Sequence, residues 1–405
     1  MIEAGPILRA MTRNKLGVIL ITLQIAFTMT VVINAIFIIN ERSSLMARPS
    51  GLDEANMFYI SSVGFGDDYN GPVTVADDLA MLRQLPGVEN ATVTNAIPVS
   101  GSGSNSGVRL SDDESAAAAF AAYYRVDEQA IDTMDLDLIA GRNFNTGDIQ
   151  WREPGQDLLR QELVISRALG ERLFPDRPLN DVLGETIYIA GLQPQTVIGV
   201  VNQLQGPWPT NSMVELSMLQ PMPSVGGRST YLIRTEPGER DRLMAEVEEM
   251  LVSTNENRIV RGLMSLEQTR EESYRIDSAM STVLWVVIST LIFITCMGIV
   301  GLAVFGINRR RKQIGTRRAL GATRSEILSY FMTENFLVTA IGVFLGAVLT
   351  IGFSIVLTSS FNMPTMAWYY TPIGMLALIV IGQIAVLGPS SGAARTEPAI
   401  ATRSV

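Results

Sequence analysis

The sequence contains no histidine and a single cysteine, Cys296. Without histidine, no Ser–His–Asp or Cys–His arrangement can form, and no HExxH zinc site. With one thiol, no disulfide closes within the chain. No GxxxxGK[ST] segment occurs, so these residues hold no phosphate cradle of the P-loop type. A lone Gly101-Ser102-Gly103 lies in a Ser/Gly-rich stretch and reads as a flexible loop rather than a nucleotide site. Charge is scarce as well. Only 18% of residues are charged against 47% hydrophobic, and mean hydropathy is +0.24. That is high for a soluble protein.

The apolar residues are concentrated in four runs, roughly Leu16–Ile39, Val283–Ile307, Phe336–Leu357 and Pro372–Leu387. A helix rises 1.5 Å per residue, so each run approaches the ~20 residues needed to cross about 30 Å of hydrocarbon. Between the first two runs lie roughly 240 residues of ordinary soluble composition, enough for one large or two small domains. From Glu41 to Asp277 there are 36 acidic and 19 basic residues, net −17, whereas the remainder has 4 acidic and 12 basic, net +8. An acidic domain argues against nucleic acid as a partner, because phosphate binding needs a basic face. Its acidity serves solubility.

A basic segment, Arg309-Arg310-Arg311-Lys312 through Arg317-Arg318, separates the second and third runs. Short loops rich in Arg and Lys remain in the cytoplasm, so this segment orients the chain. Arg9, Arg13 and Lys15 place the N-terminus on the same side, and Arg395 and Arg403 place the tail there. A cleaved signal peptide would have an apolar core of about 7–15 residues and an A-x-A-like site. Leu16–Ile39 is longer and no such site follows, so it reads as an uncleaved anchor. The expected layout is a cytoplasmic segment 1–15, spans at 16–40, 282–307, 334–358 and 372–388, and an outer domain at 41–281. A cytoplasmic loop at 308–333, a short outer loop at 359–371 and a cytoplasmic tail at 389–405 complete it.

Gln24, Asn34, Ser289, Thr290, Thr295 and Glu334 are the polar residues in or beside the spans that could line a path. The spans carry no interior Lys, Arg, Asp or Glu, Glu334 standing at the mouth of the third, which makes a poor ion pathway. Helix–helix packing explains these groups better, together with Gly298, Gly301, Gly306 and the Gly342-x-x-x-Gly346 pair.

In the outer domain, strands are expected at Met57–Ser62, Ala91–Ile97, Leu163–Ser166, Glu185–Ile189, Thr196–Val201 and Tyr231–Thr235. Helical periodicity appears at Val75–Gln84, Ala116–Ala122, Ser166–Leu173 and Asp241–Leu251. The class is therefore a membrane protein with four transmembrane helices plus an α+β outer domain. Loops at Ser100–Ser106 and Gly206–Ser212 suggest an insertion, with one subdomain at about 52–99 and 225–267 and a second at about 107–223. The carboxylates of Asp112-Asp113-Glu114 and Asp132–Asp137 lack EF-hand spacing and read as solvated turns. Glu41–Met46 and Glu271–Asp277 are expected to extend the first two spans outward as a stalk.

The order Gln313-Ile314-Gly315 through Arg317-Arg318-Ala319-Leu320-Gly321-Ala322 resembles the cytoplasmic signature of MacB/FtsX-like ABC transporter permeases. Ser325-Glu326-Ile327, Thr333-Glu334-Asn335 and the tail Pro398-Ala399-Ile400-Ala401-Thr402-Arg403 fit as well. Weaker matches are Leu85-Pro86-Gly87-Val88, Gly141-Arg142-x-Phe144 and Val197-Ile198-Gly199-Val200-Val201. The resemblance covers essentially the whole chain. Gln313 departs from it, because the family usually has Glu there.

The resemblance implies a permease that binds no cofactor itself. ATP and Mg would sit on a separate ABC ATPase subunit, contacted by Gln313–Ala322. Ile314, Ala319 and Leu320 would fill a groove of that ATPase, and Arg317 and Arg318 would pair with its acidic groups. It further implies a second permease, identical or related, in an inner membrane, and an outer domain with porter-like and sabre-like subdomains in the periplasm. A periplasmic membrane fusion protein and an outer-membrane channel would complete an efflux system for peptides, antibiotics or similar cargo, driven by mechanotransmission. Relatives also include a non-transporting signalling permease of the FtsX kind and lipoprotein-releasing permeases. Arginines that merely hold topology or bind anionic lipid are the plainer account of the basic segment.

Overall fold

Backbone polar groups in hydrocarbon must be satisfied internally, which a helix does within its own segment. Each of the four apolar runs is accordingly a helix in the computed structural model, which describes residues 15–113, 118–151, 161–189, 194–209, 213–223, 227–361 and 363–395. The first half of the chain comprises α1 (Lys15–Met46), β1 (Met57–Gly64), α2 (Gly71–Leu82), β2 (Val88–Thr94), β3 (Asn105–Arg109), β4 (Ala119–Arg125), α3 (Ala130–Thr133), β5 (Leu138–Gly141), β6 (Gln161–Ser166) and α4 (Arg167–Leu173). Then follow β7 (Thr186–Ile189), β8 (Gln195–Val201), β9 (Ser217–Gln220), β10 (Arg228–Thr235), α5 (Arg240–Thr254), β11 (Arg258–Ser265), α6 (Leu266–Ser273), α7 (Arg275–Arg309), α8 (Arg311–Ala319), α9 (Arg324–Phe361) and α10 (Tyr370–Ala394). The chain divides into two units, one formed by Met1–Ser44 with Asp277–Val405 and the other by Leu45–Ile276.

In the first unit, α1, α7, α9 and α10 are long and apolar enough to cross a membrane. Small residues set the approach of α9 to α1. A Cβ at Gly342 would lie 2.9 Å from Ile25, and one at Gly346 would lie 2.9 Å from Met29. Gly298 on α7 faces Gln24, whereas Gly301 and Gly306 meet open space. Thr28 Oγ1 and Thr295 Oγ1 share a hydrogen bond of 2.8 Å between α1 and α7, and Asn34 Nδ2 donates to the Thr30 carbonyl of its own helix at 2.8 Å and to the Thr350 carbonyl of α9 at 3.5 Å. These polar groups serve helix contacts, which is the packing role expected of them.

The second unit holds two sheets. A four-stranded antiparallel sheet has the order β11-β1-β10-β2. Val75, Leu79 and Leu82 of α2 and Leu243, Val247 and Leu251 of α5 bury their apolar stripes against Phe58, Ile60, Tyr231 and Ile233. A seven-stranded mixed sheet has the order β5-β8-β6-β9-β4-β3-β7, with β6–β8 and β4–β9 parallel. Ser166 caps α4 by accepting from the Leu169 N–H, and Leu169 packs on Leu163, Ile165 and Val197.

Three expectations need correction. The helix at Ala116–Ala122 is instead β4 over its described part, because pairing with β3 and β9 buries Ala121 and Tyr124 and overrides the helix preference of alanine. The outward extension of the second span is broken at Tyr274. Its buried ring lies under the Arg270 guanidinium at 5.6 Å, and its hydroxyl donates to the Leu45 carbonyl at 3.0 Å. The 308–333 segment is not an open loop, since α8 and the start of α9 occupy most of it. Of the acidic turns, Glu114 lies outside the described residues, and Asp135 is paired with Arg234 at 2.7 Å.

Candidate coupling site

The basic segment folds as a helical hairpin whose connecting turn is capped on both sides. The backbone leaves helical geometry at Arg310, and α8 follows. Gly321 ends that helix with φ +102°, a conformation that glycine adopts without steric cost. The Ala322 N–H donates to the Arg317 carbonyl at 3.0 Å and the Gly321 N–H to the Arg318 carbonyl at 3.2 Å. This is the Schellman pattern, which satisfies carbonyls left over at a helix end. The next helix opens with a reciprocal cap. The Thr323 N–H donates to Glu326 Oε2 at 2.8 Å, and the Glu326 N–H donates to Thr323 Oγ1 at 3.2 Å. These four hydrogen bonds engage six backbone groups within a turn of a few residues.

Apolar packing seats the hairpin. Ile314 and Gly315 are buried, and Ile314 clusters with Ile327, Phe331, Ala393 and Ala394. Ile314 therefore does not reach outward into a partner's groove, as the resemblance implied. It fills the chain's own core because it lies on the face of α8 turned to α9 and α10. The outward apolar residue is Leu320, 84% exposed at the tip of the turn. Gln313, Arg317, Ala319 and Gly321 are exposed around it, while Arg318 and Ala322 are half-buried. Arg317 lies over the Tyr330 ring, 5.5 Å from its centroid.

A charged pair missed as such in the sequence completes the seat. Arg310 Nη1 donates to Glu334 Oε2 at 2.8 Å and Nη2 to Oε1 at 3.0 Å, with Nη1 also 3.3 Å from the Tyr330 hydroxyl. Glu334 is therefore a structural partner rather than a relay group. The clue available in the sequence was a lone carboxylate beside an apolar run, with an arginine at the end of the previous run. The match Pro398–Arg403 lies outside the described residues.

The sequence pattern of the MacB-like periplasmic core domain matches residues 18–250, and that of the FtsX-like permease C-terminal region matches residues 285–398. The chain belongs to this permease family. Among its relatives, the macrolide export ATP-binding/permease protein MacB of Escherichia coli (strain K12) is 23% identical over 416 residues, covering 96% of this chain and 58% of that protein. The uncharacterized ABC transporter permease YknZ of Bacillus subtilis is 24% identical over 245 residues, covering 59% of this chain and 61% of the relative. The chain thus spans about six-tenths of the length of these relatives. The crystal structure of the periplasmic region of MacB from Actinobacillus actinomycetemcomitans aligns at 17% identity and a TM-score of 0.36, over 56% of this chain and 97% of that one. Membership rests on the sequence matches. As a MacB/FtsX-like permease, the chain combines four membrane-type helices with a periplasmic-core-type domain inserted between the first two.

Proposed function

We propose that this chain is the permease component of an ABC transporter and that its α8–α9 hairpin couples it to an ABC ATPase beyond these residues. The exposed Leu320 on a doubly capped turn is the observation that carries the reading. A flexible loop would lose force in its own motion, whereas a turn capped on both sides moves as a body. Leu320 supplies the apolar contact, and Arg317, Gln313 and Arg318 surround it with polar groups. ATP and Mg belong to the ATPase. The hairpin, the N-terminus and the tail face the cytoplasm, and the 45–276 domain faces the periplasm. A second permease, identical or related, pairs with this one in the inner membrane. The outer domain then acts on cargo of the peptide or antibiotic class, with a membrane fusion protein and an outer-membrane channel. The alternative signalling and lipoprotein-releasing roles use the same hairpin and differ in what the outer domain meets.

Leu320→Asp tests the coupling. We expect loss of permease-stimulated ATP hydrolysis with normal membrane insertion and normal yield. Unchanged stimulation would reject the assignment. Purification with partners identified by mass separates the efflux role from the alternatives. A fusion protein supports it, and a cell-wall hydrolase or a lipoprotein carrier in its place overturns it.

A further inference from the structure

A cleft of about 360 Å³ opens in the 45–276 domain beside α6. Its walls come from both sheets' surroundings: Tyr59 of β1, Met264 of β11, Glu272 of α6, and Trp208 with Ser100 from two loops. The Tyr59 hydroxyl lies 3.7 Å from Met264 Sδ, so these two form one continuous face. Glu272 is exposed. Arg270 pairs with Glu54 at 2.6 Å and Arg240 with Glu267 at 2.7 Å. Among the described residues no cation is paired with Glu272.

A second, independent feature marks the same place. Val99, immediately before Ser100, has φ +61° although it is β-branched. That conformation is strained for such a residue and persists only where the surroundings over-determine it. Here they do. The Val99 N–H donates to the Gly206 carbonyl at 3.2 Å and the Gly101 N–H to the Pro207 carbonyl at 2.7 Å. Ser273 Oγ, at the end of α6, donates to the Val99 carbonyl. These hydrogen bonds hold both loops, and with them Ser100 and Trp208, against α6.

Two aromatic rings, a thioether and one unmatched carboxylate in a concave site suit a particular chemistry. A cation is drawn to the face of Trp or Tyr, and an apolar body fills the remaining surface. The 45–276 domain holds 34 acidic and 18 basic residues, net −16, and so attracts cations as a whole. We propose that this cleft binds a cationic ligand with an aromatic or aliphatic body, stacked on Tyr59 and Trp208 and neutralised by Glu272. The inference rests on the transporter reading insofar as it names a cargo class, but the binding itself needs neither ATP nor a partner.

The test uses the full chain in an uncharged detergent, with tetraphenylphosphonium as the probe and calorimetric titration as the readout. Tetraphenylborate, alike in shape and opposite in charge, is the control. We expect saturable binding of the phosphonium only. Trp208→Ala should weaken it about tenfold and Glu272→Gln about fivefold, with Trp208→Phe close to the parent. Equal binding of the borate, or affinity unchanged in both Trp208→Ala and Glu272→Gln, would overturn the site. Cation binding with coupling indifferent to Leu320→Asp retains the cleft and removes the coupling reading. Coupling lost in Leu320→Asp with no cation binding does the reverse.

Discussion

Arg310 and Glu334 meet as a two-point pair, with N–O distances of 2.8 and 3.0 Å, between the residue that separates α7 from α8 and the eleventh residue of α9. The pair is half-buried, so removing one partner strands the other in a poorly solvated place. Glu334→Ala should destabilise the hairpin by about 1–3 kcal/mol, and Arg310→Ala by a similar amount. The double variant should be milder than their sum by about 1 kcal/mol. Apparent melting in detergent reads the cycle. Strict additivity would show that the two residues act separately.

Gly321 carries the turn at φ +102°. An L side chain there is strained whatever the space around it. Gly321→Ala should cost about 1 kcal/mol and lower permease-stimulated ATP hydrolysis, and Gly321→Asn should recover part of it because Asn enters the left-handed region more readily. Equal loss in both variants would mean that the turn's conformation is not what matters.

Gly346 and Gly352 lie on the same helix with opposite surroundings. A Cβ at Gly346 would meet Met29 at 2.9 Å, whereas one at Gly352 meets nothing within 4 Å. Gly346→Val should therefore destabilise the helix bundle by about 1–3 kcal/mol, and Gly352→Val should be nearly neutral. Thermal stability followed by size-exclusion chromatography distinguishes them. Matching losses would contradict the close approach of α9 to α1.

Asp127 joins the surroundings of the two sheets. It accepts from Arg83 Nη2 at 2.7 Å and from Thr92 Oγ1 at 2.7 Å. Burial pushes its carboxyl above the usual range, with Arg83 opposing, and burial likewise raises Asp78 beside Arg258. The folded state then holds these protons more tightly than the unfolded chain. The resulting stability is fully present below the ordinary carboxylate pKa of about 3.9 and is lost as pH rises through the folded value. Asp127→Asn should flatten that decline. Unfolding measured from about pH 4 to about pH 7 checks the slope, and identical slopes in parent and variant would exclude Asp127 as its source.

Much of the candidate site was legible in one dimension. The order of Gln313 to Ala322 marked the segment, although its helices were read as a loop. The division of labour within it was not legible. Ile314 and Leu320 are both apolar and only six positions apart, yet one is buried and the other is 84% exposed. Which face of α8 turns inward depends on where Phe331, Ala393 and Ala394 arrive from α9 and α10. The Arg310–Glu334 pair was hidden for the same reason, since it joins two helices 24 positions apart.

In the outer domain, strands with strong alternation or β-branched runs stood out, as at Met57–Gly64 and Gln195–Val201. Short or polar strands did not, notably β3, β5, β9 and β11, because their partners rather than their own residues make them strands. The sequence by itself determined the four membrane helices, the acidic domain between the first two, and the place of the basic hairpin. Chain-local quantities decide those: apolar length against hydrocarbon thickness, and charge against the cost of crossing it. The tertiary structure alone decided that Leu320 faces outward, that Glu334 is paired, and that a strained Val99 stands beside an aromatic cleft. Those depend on distances between residues far apart in the chain, which close only when helices and sheets pack.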